Sequence, residues 1–382
     1  MPTRMIRGGR LLLPDGVLEN YALIYDKKIQ GILPDSQLEG LPFDEVIDVQ
    51  GTIISPGFIN IHIHGADGAD VMDGTEDALK TIGRFLQTSG VTAYLPTTLT
   101  AACGQIEKTL EVIRKVQKEP SSGASILGVH LEGPFINPKY KGAHDERFIL
   151  PPDADWVHHH RDILKIVTYA PEMDESGDFT RALCHSGVIP SLGHSGATCE
   201  CALGAVKSGA RSFTHLFNAM SPLHHREPGM VGAALTSESW VELIADNIHV
   251  SPVLYELICK AKGISKVILI TDSIRAAGLP EGEYELGGLP VTVKDGAARL
   301  TSSGVLAGSV LKMGDGIKNV MEATKRPLLE IIRMATINPA TLLGIQEKKG
   351  ILAQGADADF VFLDPDCRIL KTIQAGEVVY SC

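Results

Sequence analysis

The chain has 382 residues, 35 basic and 46 acidic, for a formal net charge of −11, with 44% hydrophobic and 21% charged residues. That composition is globular, with enough apolar residues for a large core; the acidic balance, without a Lys/Arg cluster, argues against nucleic acid as a partner but leaves a small anion open. No apolar run reaches the roughly 20 residues of a bilayer span, residues 1–10 are not followed by a signal-like apolar core, and the seven cysteines contain no CxxC pair, so free thiols, no membrane partner and a cytoplasmic location are expected.

In chain order, the first fifty residues read as short strands at 10–13, 21–25, 28–33, 46–49 and 52–54, split by turn residues such as Pro14-Asp15-Gly16. The far end has the same texture, with strands at 358–363, 368–373 and 377–380. Each end is too small to bury a core alone, so residues 1–54 and 350–382 are expected to build one small β-sandwich domain.

Residues 55–349 follow another rule. Apolar runs of strand length recur at 57–63, 91–97, 126–131, 166–170, 188–192, 212–216, 241–245 and 267–270. Helical patterns separate most of them, for example at 77–87, 105–118, 199–207 and 252–262. Near-continuous apolar strands followed by helices imply parallel strands with helices over them. Eight such strands predict an α/β fold of the (β/α)8, TIM-like barrel type. An open doubly wound sheet is weakened by the lack of a GxGxxG or GxxxxGK[ST] fingerprint. A hairpin-like insert with an Asp295-Gly296 turn is expected at 284–300, and His158, His159 and His160 read as a solvated face.

Barrel chemistry sits at the C-terminal ends of the strands. The first run ends in His62-Ile63-His64-Gly65, whose two imidazoles project to one side because residues two apart on a strand share a face. The third ends at Glu132, the fifth at His194, and the eighth at Asp272, while the sixth carries His215 near its end. Four histidines and two carboxylates delivered to one end of an apolar barrel would be costly to bury without an ion, and they suit one or two divalent metals. Zn, Fe, Co and Mn are all compatible with imidazole and carboxylate donors. No GxSxG elbow is present, which removes the main serine-hydrolase mechanism.

The run Pro56-Gly57-Phe58-Ile59-Asn60-Ile61-His62-Ile63-His64-Gly65 is similar to the opening of the amidohydrolase superfamily. Further along come Leu131-Glu132-Gly133-Pro134-Phe135, Lys141-Gly142-Ala143-His144, Leu192-Gly193-His194-Ser195 and Thr214-His215-Leu216-Phe217-Asn218-Ala219-Met220. Arg226-Glu227-Pro228-Gly229, Ala245-Asp246-Asn247-Ile248-His249 and Leu306-Ala307-Gly308-Ser309 complete the series. In this order, it resembles the N-acetylglucosamine-6-phosphate deacetylases over essentially the whole chain. Strand four ends in Ala170-Pro171-Glu172, with its only lysine, Lys165, at the start. The carboxylated lysine of many two-metal amidohydrolases therefore has no counterpart.

The resemblance implies roles. Glu132, His194 and His215 would hold a principal metal, and His62 and His64 a second one shared through Glu132 and touching Asp272. Asp272 would be the general base and then the acid, with His144 stabilising the negative oxygen. Arg226 and His225 would grip a phosphate, across the interface of a homodimer. Ala143, Asn218, Ala219, His249 and Leu306 would contact the phosphorylated amino sugar. The galactosamine epimer is the nearest rival substrate, and a non-catalytic metal-binding scaffold is the rival from another class.

Overall fold

In the structure, a computed structural model that describes residues 3–119 and 123–382, the two ends of the chain meet in one β-sandwich. One sheet runs Ile29–Pro34, Tyr21–Tyr25, Arg4–Arg7, Glu45–Asp48. The other runs Glu377–Ser381, Ile369–Gln374, Phe360–Leu363, Ile53–Pro56, Arg10–Leu13, Gly16–Leu18. Ile53–Pro56 is the joint: it pairs in parallel with Arg10–Leu13 and antiparallel with Phe360–Leu363. Ile6, Leu23, Tyr25, Ile54 and Phe360 form the core of the sandwich, with Tyr25 and Phe360 edge to face at 5.0 Å. At its margin Lys349 pairs with Asp357 at 3.0 Å and with Asp359 at 2.5 Å. Strands Arg4–Arg7 and Gly16–Leu18 were not expected from the sequence; arginines and a glycine mask their alternation.

Gly57 then carries the chain straight into the first barrel strand, Phe58–Ile63. The remaining strands are Val91–Thr98, Val129–Glu132, Leu164–Tyr169, Ile189–Leu192, Ser212–Phe213, Trp240–Ile244 and Val267–Ile270, each parallel to the next. The ring is closed at its mouth by backbone. Asp272 N–H donates to His62 O at 3.0 Å and His64 N–H to Ser273 O at 2.9 Å. A helix follows every strand, the first being Glu76–Thr88 and the last Met313–Thr324. The first shows why: Thr75 caps it by accepting from Ala78 N–H, Glu76 and Asp77 suit its N-terminal dipole, and Ala78, Leu79, Ile82 and Leu86 form its buried stripe. No helix among the described residues is long and apolar enough to cross a membrane.

Four local expectations need correction. The third run is broken: Ser125–Ile126 and Val129–Glu132 are separate strands, with Gly128 between them at φ 144°. The sixth strand ends at Phe213, so His215 lies beyond it. The insert is a three-stranded meander, Gly282–Leu286, Leu289–Lys294 and Ala297–Leu300. Besides Asp295-Gly296 it turns at Gly287-Gly288, whose φ values of 58° and 79° are what a two-residue hairpin turn requires. Finally, His158 and His159 are exposed, but His160 is buried, with its Nδ1 3.0 Å from Arg114 Nη2.

Candidate metal centre and active site

The strand ends aim their side chains inward by unusual backbone. His194, His215 and Asp272 all have positive φ, at 48°, 31° and 49°. Such conformations are costly for non-glycine residues and persist where surrounding structure enforces them, often at functional sites. Gly133, after Glu132, also has positive φ, and a Cβ there would lie 2.1 Å from Thr100 Oγ1.

The side chains meet around Glu132, a carboxylate only 2% exposed. Its Oε1 is 3.1 Å from His194 Nε2 and 3.1 Å from His215 Nε2. Its Oε2 is 3.1 Å from His64 Nε2, 3.4 Å from His62 Nε2 and 3.5 Å from His144 Nε2. Asp272 Oδ1 lies 3.1 Å from His64 Nε2 and 3.5 Å from His62 Nε2. The donors form two groups able to hold an ion, Glu132 with His194 and His215, and Asp272 with His62 and His64.

The hydrogen positions test that reading. His62 Nδ1 is 3.0 Å from Glu242 Oε2, His64 Nδ1 is 3.1 Å from Thr97 O, and His194 Nδ1 is 2.9 Å from Tyr140 O. These oxygens accept, so each Nδ1 carries a hydrogen, and each Nε2, turned toward the carboxylates, is the nitrogen left to hold either a second proton or an ion. Wholly buried His62 Nε2 has no hydrogen-bond partner among the described residues. His194 Nε2 and His215 Nε2 face each other at 3.0 Å. Tetrahedral ligands about 2.0–2.1 Å from zinc sit about 3.3 Å apart. Nitrogens converging at nearly that spacing fit a divalent cation.

His144 is different. Its Nδ1 accepts from Thr100 N–H at 3.2 Å, so in the neutral ring the hydrogen is on Nε2. It faces the site as a donor. Burial, helped by the charge of His194, pushes its pKa down to about 4 and keeps it neutral.

Burial would raise both acids, but the imidazoles overcome it. Around Glu132 the charge of His62 and hydrogen bonds from His144, His194 and His215 hold the carboxyl well below the usual carboxylate range. His62 and His64 hold Asp272 at about 2. Conversely, burial lowers His64, but Asp272 and Glu132 outweigh it and raise it to about 9. The cluster demands positive charge, which bound protons or a divalent ion can supply.

Above the cluster opens a cavity of about 620 Å³. His64, Glu132, Ala143, His144, His194, His215, Asn218, Ala219, His249, Asp272 and Leu306 all line it. His62 lies behind them, fully buried. His225 and Arg226 do not line it; they are exposed and bonded to each other, with Arg226 Nη1 2.7 Å from His225 Nε2.

Sequence reasoning missed the supports. Glu242 backs His62, and Thr97, Thr100 and Tyr140 set three more rings. Asp246 accepts from His249 N–H at 2.8 Å and lies 2.6 Å from its Nδ1. Arg299 on the meander also lines the cavity. A signal existed for Glu242, since a carboxylate inside the apolar run Trp240–Ile244 is unusual.

The amidohydrolase family model matches residues 53–379. An N-acetylglucosamine-6-phosphate deacetylase of Bacillus subtilis (strain 168) is 41% identical over 386 aligned positions, covering 98% of this chain and 97% of that protein. An N-acetylgalactosamine-6-phosphate deacetylase of Escherichia coli O157:H7 is 36% identical, covering 98% of this chain and 99% of that one. The crystal structure of an N-acetylglucosamine-6-phosphate deacetylase from Pasteurella multocida superposes with a TM-score of 0.93 at 31% identity, covering 100% of both chains. With the barrel, the strand-end histidines and carboxylates and these likenesses together, the chain belongs to the amidohydrolase family, a family of metal-dependent hydrolases, alongside the amino-sugar-phosphate deacetylases.

Proposed function

We propose that the protein hydrolyses the acetamide of N-acetyl-D-glucosamine 6-phosphate to D-glucosamine 6-phosphate and acetate, a step of amino-sugar catabolism. The observation that carries this reading is Asp272, a buried carboxylate held ionised at the floor of the cavity beside two groups of metal donors. The names of the relatives support the substrate.

We assign Glu132, His194 and His215 to one divalent ion and His62, His64 and Asp272 to a second, with Glu132 between them; Zn, Fe, Co and Mn all suit these donors. An ion held here supplies Lewis acidity, polarising an amide carbonyl and making water a better nucleophile near neutral pH. Asp272 takes the proton of the attacking water as its oxygen bonds to the carbonyl carbon. His144 Nε2–H donates to the oxygen that becomes negative. Asp272 then returns the proton to the sugar nitrogen as the C–N bond breaks, releasing acetate and the free amine.

Asn218, the Ala219 amide, His249, Ala143 and Leu306 hold the sugar. Arg226, with His225, binds the phosphate as a guanidinium can, through paired hydrogen bonds. Since both are exposed and outside their own chain's cavity, we assign them to the site of the second subunit of a homodimer. Residues 55–349 form the catalytic domain, and residues 1–54 with 350–382 the sandwich domain. Seven unpaired cysteines suit a reducing cytoplasm.

The test is acetate release from N-acetylglucosamine 6-phosphate before and after chelation. N-acetylgalactosamine 6-phosphate and unphosphorylated N-acetylglucosamine run in parallel. The E. coli relative makes the galactosamine epimer the second reading. Chelator-sensitive turnover that prefers the glucosamine substrate is expected. Equal or greater turnover of the epimer would reassign the sugar, and none on any substrate by metal-loaded protein would remove the assignment.

A further inference from the structure

Glu242 occupies the middle of the seventh barrel strand with its side chain completely shut off from water. Its neighbours Val241, Leu243 and Ile244 are buried and apolar. A carboxylate there is expensive to desolvate, and only half of it is satisfied. Oε2 lies 3.0 Å from His62 Nδ1 and accepts from His215 N–H at 3.3 Å, while Oε1 has no hydrogen-bond partner among the described residues. Buried ion pairs can often be replaced by apolar residues without loss of stability, so folding alone is a poor reason to keep this one.

The neighbour on the other side of His62 shows what Glu242 does not do. The ring of His130 lies 4.6 Å from that of His62. Its Nδ1 is spent on Ile61 O at 2.9 Å and its Nε2 on Thr168 Oγ1 at 2.7 Å. With both nitrogens engaged, His130 is no ligand, and Glu242, His62 and His130 are not an additional cation site. The arrangement reduces to a carboxylate behind an imidazole whose other nitrogen points into the cluster.

We infer that Glu242 is a positioning residue for the second ion: it holds His62 with a hydrogen on Nδ1 and its Nε2 turned into the cluster, and its negative charge makes that imidazole a stronger donor. Partners of this kind behind a ligating histidine typically change metal affinity by about 10–100-fold. Glu242 lies behind His62 and does not line the cavity, so it acts only through the ring. The same oxygen steadies the backbone at His215, but it leaves that ring's orientation to Glu132. The loss should therefore fall on the ion of His62 and His64 and spare the ion of His194 and His215.

The inference rests on the two-ion reading, and zinc content separates the two. Wild-type protein, stripped and reconstituted with Zn²⁺ under a competing chelator, is expected to hold two ions per chain. Glu242→Gln, which removes the charge while keeping the shape, should bind one ion about 10–100-fold more weakly and the other within about threefold of wild type. In a His62→Ala background the same change should have no further effect. One ion in the wild type would overturn the two-ion reading and this inference with it. Two ions of unchanged affinity in the variant, or equal weakening of both, would overturn the role of Glu242 alone. Should the variant not fold, wild-type zinc protein labelled with ¹⁵N-histidine answers directly: a proton on His62 Nδ1 and a metal-shifted Nε2 support the inference, and the reverse pattern overturns it.

Discussion

Replacing Asp272 by Asn changes one atom and tests the centre of the mechanism. Asparagine tolerates positive φ, so the backbone at 49° should survive. What disappears is the site's proton acceptor. General acid–base catalysis is typically worth about 10²–10⁴-fold, and the surroundings decide where in that range Asp272 falls. Glu132 is enclosed by five imidazole nitrogens, and Glu242 is sealed behind His62. The lone pair of neutral His144 is taken by Thr100 N–H. None of these three can accept the water's proton, and the same carboxyl serves the second transfer to nitrogen. The expected loss is therefore at the upper end, about 10⁴-fold in kcat, or about 5.5 kcal/mol in the barrier. The assay is acetate release under saturating substrate, with zinc content and melting temperature measured on the same protein. Turnover within tenfold of wild type, in metal-loaded folded protein, would refute Asp272 as the base.

Three further outcomes are expected. His144→Phe should cut kcat by about 10²–10³-fold, the usual loss of one oxyanion donor; because the wild-type ring titrates at about 4, the pH profile between 5 and 8 should keep its shape, and a displaced limb would instead make His144 a titrating catalyst. Arg226→Ala should raise KM for the phosphorylated substrate while leaving the slow reaction of the unphosphorylated sugar unchanged; equal losses on both would remove the phosphate role. Lys349→Met should destabilise the sandwich by about 3 kcal/mol in urea titrations at neutral pH, since it strands buried Asp359. Burial would raise Asp357, but Lys349 outweighs it and depresses that carboxyl. The stabilisation is thus present above the unfolded carboxylate value of about 3.9 and lost as pH falls through the lower folded one. The gap between variant and wild type should therefore shrink below about pH 4, and a constant gap would refute the pairing.

The barrel was legible because strand-length apolar runs alternated with helices, and the site because each ligand stands where an apolar run stops. His62 and His64 share a face by pleat alone. Glu242, Asp246 and Thr100 were not legible as supports, because their importance lies in which ring nitrogen each one faces, a relation between strands that spacing along one strand does not encode. His215 shows the other limit: the apolar pattern runs past the true end of its strand, and only the backbone reveals a left-handed turn there. Only the Asp295-Gly296 turn of the insert was read, because the polar strand before Gly287-Gly288, Gly282–Leu286, carries too few apolar residues to stand out. His160 looked solvated in a run of three histidines, whereas its packing against Trp156, ring centroids 4.4 Å apart, buries it.

The sandwich sheet in which Ile53–Pro56 sits between Arg10–Leu13 and Phe360–Leu363 also sets an order of events during synthesis. About 300 residues separate the two strands that must pair, which at 5–20 residues per second is roughly 15–60 s of translation. For that time one edge of Ile53–Pro56 is unpaired, an invitation to foreign strands. The whole barrel sequence emerges within the interval, and its first strand is tethered to the waiting edge through Gly57. The nascent chain thus carries its catalytic half toward completion before the sandwich can close, and chaperone dependence should track the delay before Phe360 appears.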